Sequence, residues 1–97
     1  MTYRFHPAAE AEHLESVAWY ETRRAGLGAR YLAEFERTLE QVQENPNRYP
    51  IDRRPDIRRA YLRRFPFTVL FRVLEGQVEV LAVAHHRRRP TYWIGRA

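Results

Sequence analysis

An α+β fold is predicted for this chain: a short N-terminal strand and an antiparallel helical hairpin packed on one face of a small twisted antiparallel sheet. Three observations predict it. Apolar residues recur at helical spacing through the first 44 positions, the period changes to two after residue 58, and a proline-bearing segment over 45–56 separates the two regimes. With 97 residues there is chain for one hydrophobic core and no more, so a single domain over 1–97 is expected.

The elements follow in order. Thr2 to His6 reads as the first strand. Pro7 suits the first turn of a helix, where its missing N–H would have no partner anyway. Ala8, Ala11, Leu14 and Ala18 then form an apolar stripe, with Glu10, Glu12 and Glu15 near the positive end of the helix dipole. Arg23 and Arg24 followed by Gly26 make the stop. Leu32, Phe35, Leu39 and Val42 are the stripe of a second helix, ended by Asn45-Pro46. The link Ala25-Gly26-Leu27-Gly28 is short enough to fold the two helices antiparallel. Asn45 to Asp56, with three prolines, reads as a loop.

Beyond the loop Phe67, Val69, Phe71 and Val73 alternate with Thr68, Leu70, Arg72 and Leu74. After Glu75-Gly76, Val78, Val80, Ala82 and Ala84 alternate with Glu79, Leu81, Val83 and His85. A two-residue turn at Glu75-Gly76 pairs Leu74 with Gln77, so Val73 meets Val78, Phe71 meets Val80, Val69 meets Ala82 and Phe67 meets Ala84 on one apolar face. Arg72 then opposes Glu79 on the other face. An even-length loop around Phe65-Pro66 adds Ala60 and Leu62 to the apolar face and Arg59, Tyr61 and Arg63 to the second, beside His85. The helices are expected over the first face, leaving the second as an arginine-rich floor.

All 17 basic residues are arginine, for a net charge of +5. Residues 1–47 hold five Arg against eight Glu, a net of −3, and residues 48–97 hold 12 Arg against four acids, a net of +8. Codon usage can explain arginine in place of lysine but not this asymmetry. Guanidinium groups grip phosphate and carboxylate bidentately, so the basic half is a candidate surface for nucleic acid or an acidic protein. The absence of cysteine excludes disulfides, a thiolate nucleophile and a Cys-ligated zinc site. Gly26 and Gly28 lack a phosphate-loop context, and His85-His86 point to opposite faces of a strand, so neither a cofactor nor a metal is expected. No secretory h-region or apolar run of membrane-spanning length occurs, and the expected location is cytoplasmic.

The combination of Ala18-Trp19-Tyr20-Glu21, AGLGARYLAEFE at 25–36, NPNRYP at 45–50, RRAYLRRFPFTVLFRV at 58–73 and VLAVAHHRRRPTYW at 80–93 resembles the ParE/RelE superfamily of type II toxins, in its ParE-like plasmid stabilisation branch. The resemblance spans nearly the whole chain. It implies a growth-inhibiting toxin neutralised by a cognate antitoxin. ParE-like members inhibit DNA gyrase with no known catalytic site, whereas RelE-like members cut mRNA in the ribosomal A site. The candidate targets are therefore gyrase or the ribosome and its mRNA. A third reading is an inactive domain that keeps only antitoxin or nucleic-acid binding. A homodimer and a toxin–antitoxin hetero-oligomer are both compatible with the resemblance.

Cleavage by attack of a 2′-OH needs a base, an acid and cationic donors around the phosphate. His85, Arg63, Arg72 and Tyr92, with Arg59 beside them, are the candidates for such a site. The commoner fate of a strand histidine is hydrogen bonding within the sheet, and lysine is missing throughout. Arg59, Tyr61, Arg63, Arg72, Arg87, Arg88 and Arg89 are the candidate contacts for target or antitoxin. Trp93 reads as the anchor of the tail.

Overall fold

The computed structural model describes residues 1–97. The elements are β1 (Tyr3–Phe5), α1 (Pro7–Arg23), α2 (Leu27–Glu44), a 3-10 turn (Pro46–Arg48), β2 (Ile51–Arg53), β3 (Ile57–Tyr61), β4 (Phe67–Leu74), β5 (Gln77–His85) and a last 3-10 turn (Ile94–Arg96). They form one five-stranded sheet, ordered β1-β5-β4-β3-β2, with both helices on one face. β3, β4 and β5 pair antiparallel as expected and β2 pairs antiparallel with β3, while β1 joins the edge parallel to β5, with Tyr3 opposite Val78 and Phe5 opposite Val80.

The hairpin of helices ends where the sequence places it. His6 caps α1 by accepting the Ala8 N–H at its Nδ1 (3.1 Å), ahead of Pro7. Gly26 takes a left-handed φ of 88°, and the Glu21 carboxylate accepts the N–H groups of Gly26 and Gly28 (3.0 Å each), holding the first turn of α2 against α1. A Cβ on Gly28 would come within 2.7 Å of the Val17 carbonyl oxygen. Gly28→Ala is therefore expected to force the helices apart and cost about 1–3 kcal/mol, read as a lowered midpoint in urea denaturation. A midpoint equal to that of the unmodified protein would show that the crossing is loose.

The buried face of α1 is not the expected stripe. Ala11, Leu14 and Ala18 face solvent, with Leu14 60% exposed, and Ala9 and His13 are buried instead. His13 serves as an aromatic here: its ring lies 4.2 Å from that of Phe35 and 5.2 Å from that of Phe5. Burial holds its pKa below the ordinary value against the opposing charge of Glu10, so the core receives a neutral ring. The stripe of α2 matches at Phe35, Leu39 and Val42, which are fully buried, while Tyr31 takes the place expected of the half-buried Leu32 and Thr38 joins them, donating to the Glu34 carbonyl. They meet Ala60, Leu62, Val69, Phe71, Val78 and Val80 in the main core.

The loop over 45–56 also holds more than expected, since Ile51–Arg53 is an edge strand on β3. All three of its residues are exposed, so no apolar pattern marks it.

Candidate functional site

Two features decide which side chains gather on the sheet face away from the helices. The first is a bulge in β5. From the Glu75-Gly76 turn, where both residues take positive φ, the pairs Leu74–Gln77, Val73–Val78, Arg72–Glu79 and Phe71–Val80 form as predicted. Next comes Leu70–Ala82, so Leu81 is an extra residue. Every later pair is displaced by one: Val69 meets Val83 rather than Ala82, and Phe67 meets His85 rather than Ala84. A displacement of one residue exchanges the two faces of a strand.

His85 consequently leaves the face expected of it. Its ring stands edge-on to Phe67, centroids 5.0 Å apart, on the helix side, and its Nδ1 accepts the Arg87 N–H at 3.0 Å. Burial, then the charges of Arg87 and His86, hold its pKa below the ordinary value, so a neutral imidazole acceptor is favoured. His86, expected to turn toward the core, takes the vacated side. Its Nε2 lies 3.1 Å from the Thr68 hydroxyl and its ring meets the edge of Tyr61.

The second feature is the tail, which closes over part of the expected floor. Trp93, 3% exposed, packs with Ile57, Leu70, Leu81 and Ala82 into a second core on this face. The expectation that it anchors the tail holds. Tyr92 is tied down beside it: its hydroxyl donates to Glu12 Oε2 at 2.8 Å, and the guanidinium carbons of Arg88 and Arg96 lie 3.9 and 5.1 Å from its ring centroid. Burial, reinforced by the Glu12 carboxylate, raises its pKa, so it stays a neutral donor.

Glu12, which the sequence marked only as a dipole partner, is the hub. One carboxylate accepts from the Val83 N–H (2.9 Å), the Tyr92 hydroxyl and both terminal nitrogens of Arg96 (3.0 and 2.9 Å). Its importance was not legible, because its partners lie 71 to 84 residues away.

What remains between the tail and the sheet is a cavity of about 620 Å³ whose walls include Asp52, Tyr61, His85, His86, Arg88 and Arg89. Tyr61 is 60% exposed. Arg59 lies on this face but is held by Asp52 (3.6 Å) and the Ile51 carbonyl (3.1 Å). Arg72 pairs with Glu79 at 2.9 Å, as the register required. Arg63 sits beyond the end of β3, its N–H bonded to Glu34 of α2, away from the cavity. Arg87 and Arg89 are exposed and free of carboxylates. Of the four candidate catalytic residues, His85 and Tyr92 border this cavity, Arg63 and Arg72 do not, and Tyr92 and Arg72 are held by the Glu12 and Glu79 carboxylates.

A second arginine cluster went unmarked by the sequence. Arg30, Arg37 and Arg64 border a cavity of about 620 Å³ between α2 and the β3–β4 loop. Helical spacing brings the first two to one flank, and Arg64 arrives through the loop, a placement no local pattern announces. No cluster of three or more His, Asp or Glu side chains suited to a metal occurs, and no helix is long and apolar enough to cross a membrane.

A family model described as the ParE toxin of type II toxin-antitoxin system, parDE, matches residues 3–90. Among solved structures, the chain is similar to one described as a chromosomal ParDE TA system from P. aeruginosa. Sequence identity is 18% and the TM-score 0.75, with 88% of this chain and 95% of that chain covered. No curated protein matches the sequence.

Proposed function

The chain belongs to the ParE toxin family of type II toxin-antitoxin systems, and from that premise we propose that it arrests growth by binding and inhibiting DNA gyrase, until a cognate antitoxin with an acidic segment neutralises it. The observation that carries this reading is that Arg63 and Arg72 lie outside the cavity and Tyr92 is bound to Glu12, so His85 stands on its wall without the predicted phosphate clamp and within a basic, aromatic-edged binding surface. Arg87, Arg89 and Tyr61 are its free contacts, and exposed guanidinium groups suit acidic protein or phosphate partners.

One observation favours a second reading, ribosome-dependent cleavage of mRNA. His86 joins His85 on the cavity wall, which also carries Tyr61, Arg88 and Arg89. A histidine is suited to either proton-transfer role near neutrality. The test runs purified protein on programmed ribosomes and, in parallel, on gyrase supercoiling. Inhibited supercoiling with intact mRNA is expected, and His86→Ala and His85→Ala should both keep most of that inhibition. mRNA cuts that fall by about 10²-fold or more in His86→Ala, with supercoiling unaffected, would replace the proposal by the nuclease reading. Strong expression without arrest of growth would leave neither.

A further inference from the structure

β1 pairs with only the first part of one side of β5. The last backbone bond between them runs from the His6 N–H to the Val80 carbonyl (2.8 Å), whereas β5 continues to His85. The His86 N–H points toward β4, where it meets the Pro66 carbonyl at 2.9 Å. Successive residues of a strand point their N–H groups to alternate sides, so those of Val83 and His85 point away from β4. Glu12 takes the Val83 N–H and Arg96 the Leu81 carbonyl (3.0 Å). The Val83 carbonyl and the His85 N–H are left facing a side that no strand covers. A carbonyl and an N–H two residues apart are the pair that a single residue of a parallel neighbour engages.

Beside this edge lies a cavity of about 270 Å³ with Trp19, Tyr20, Phe67 and Val83 as its apolar walls and Glu12, Glu15, Ser16, His85 and Arg88 around them. Trp19 is half exposed at its rim, with the Arg23 guanidinium 4.3 Å over its ring. Tyr31 packs against both Tyr20 and Phe67, centroids 5.3 Å away, and so backs two of the cavity's walls. Arg87, Arg88 and Arg89 follow the edge directly in sequence.

We propose that an extended acidic segment of the antitoxin adds to this side of β5 as a parallel strand, engages the Val83 carbonyl and His85 N–H, and lodges one bulky apolar side chain between Trp19 and Phe67. Main-chain bonds supply affinity in such additions and the side-chain hollow supplies specificity. Acidic residues running past His85 meet the three arginines, whereas a basic segment would be repelled. The proposal rests on the toxin–antitoxin reading above.

Its test is amide hydrogen exchange on this chain, free and saturated with the full-length product of the neighbouring gene. The His85 amide is expected to slow at least about 10-fold in the complex. Ser16→Trp, which fills the hollow, should weaken binding at least about 30-fold, while Leu14→Ala, on the solvent side of α1, should change it less than about 2-fold. Saturable binding with unchanged His85 exchange would overturn the strand addition, and so would Ser16→Trp binding as tightly as the unmodified chain. A neighbouring product that does not bind at all would sink the toxin–antitoxin pairing itself, and this proposal with it.

Discussion

Trp93→Ala is expected to cost about 3–5 kcal/mol, the range for emptying a buried tryptophan site. The side chain is 3% exposed and is the one buried tail residue over Ile57, Leu70, Leu81 and Ala82, with Tyr92 and Ile94 only partly buried beside it. Against a total stability of about 5–15 kcal/mol for a domain of this kind, the loss is a large fraction. Thermal and urea denaturation measure it. The variant should also bind hydrophobic dye in its native state, because releasing the tail uncovers an apolar sheet face. A loss below about 1 kcal/mol would mean that the tail rests on the domain without supporting it.

Glu12→Gln carries the second large effect. The carboxylate is 13% exposed and joins α1, β5 and the tail, and removing one partner of a buried ion pair costs about 3–5 kcal/mol. Burial pushes the Glu12 carboxyl up, but the hydrogen bonds from Arg96, the Val83 N–H and Tyr92, together with the Arg96 charge, outweigh it, and the net pKa falls below the ordinary carboxylate range. For a carboxyl lowered by folding, the stabilisation is complete above the unfolded pKa and is lost as pH falls through the folded one. The unmodified protein should therefore lose stability as pH drops below about 4.5, and Glu12→Gln, already weaker at neutral pH, should show a flatter acid limb. Parallel acid limbs in the two proteins would assign the acid sensitivity to other carboxylates.

The parts of the fold that were legible rest on local rules. The helix ends at Pro7, Gly26 and Asn45-Pro46, the turn at Glu75-Gly76, and the Arg72–Glu79 pair each follow from residues close in sequence. Three parts were hidden, for different reasons. The α1 face misled because His13, a polar type, packs as an aromatic, while alanines that favour helix wherever they stand occupy the solvent side. β2 is an edge strand without a buried residue, so period-two reading had nothing to detect. The bulge lies inside the uninterrupted apolar run Val80-Leu81-Ala82-Val83, where both strand faces are covered and alternation carries no register information. That error passed directly into the candidate site, because His85 and His86 follow the run.

The extra residue at Leu81 behaves like a reading-frame shift written in three dimensions. Loss or gain of one codon there would exchange the surroundings of every side chain from Ala82 to His86 without substituting any of them. Lineages built on this scaffold thus have a single-step route by which one imidazole is turned toward the helix side and its neighbour toward the opposite surface. Comparing descendants column by column would miss it, since both histidines stay in place while their chemistry trades sides.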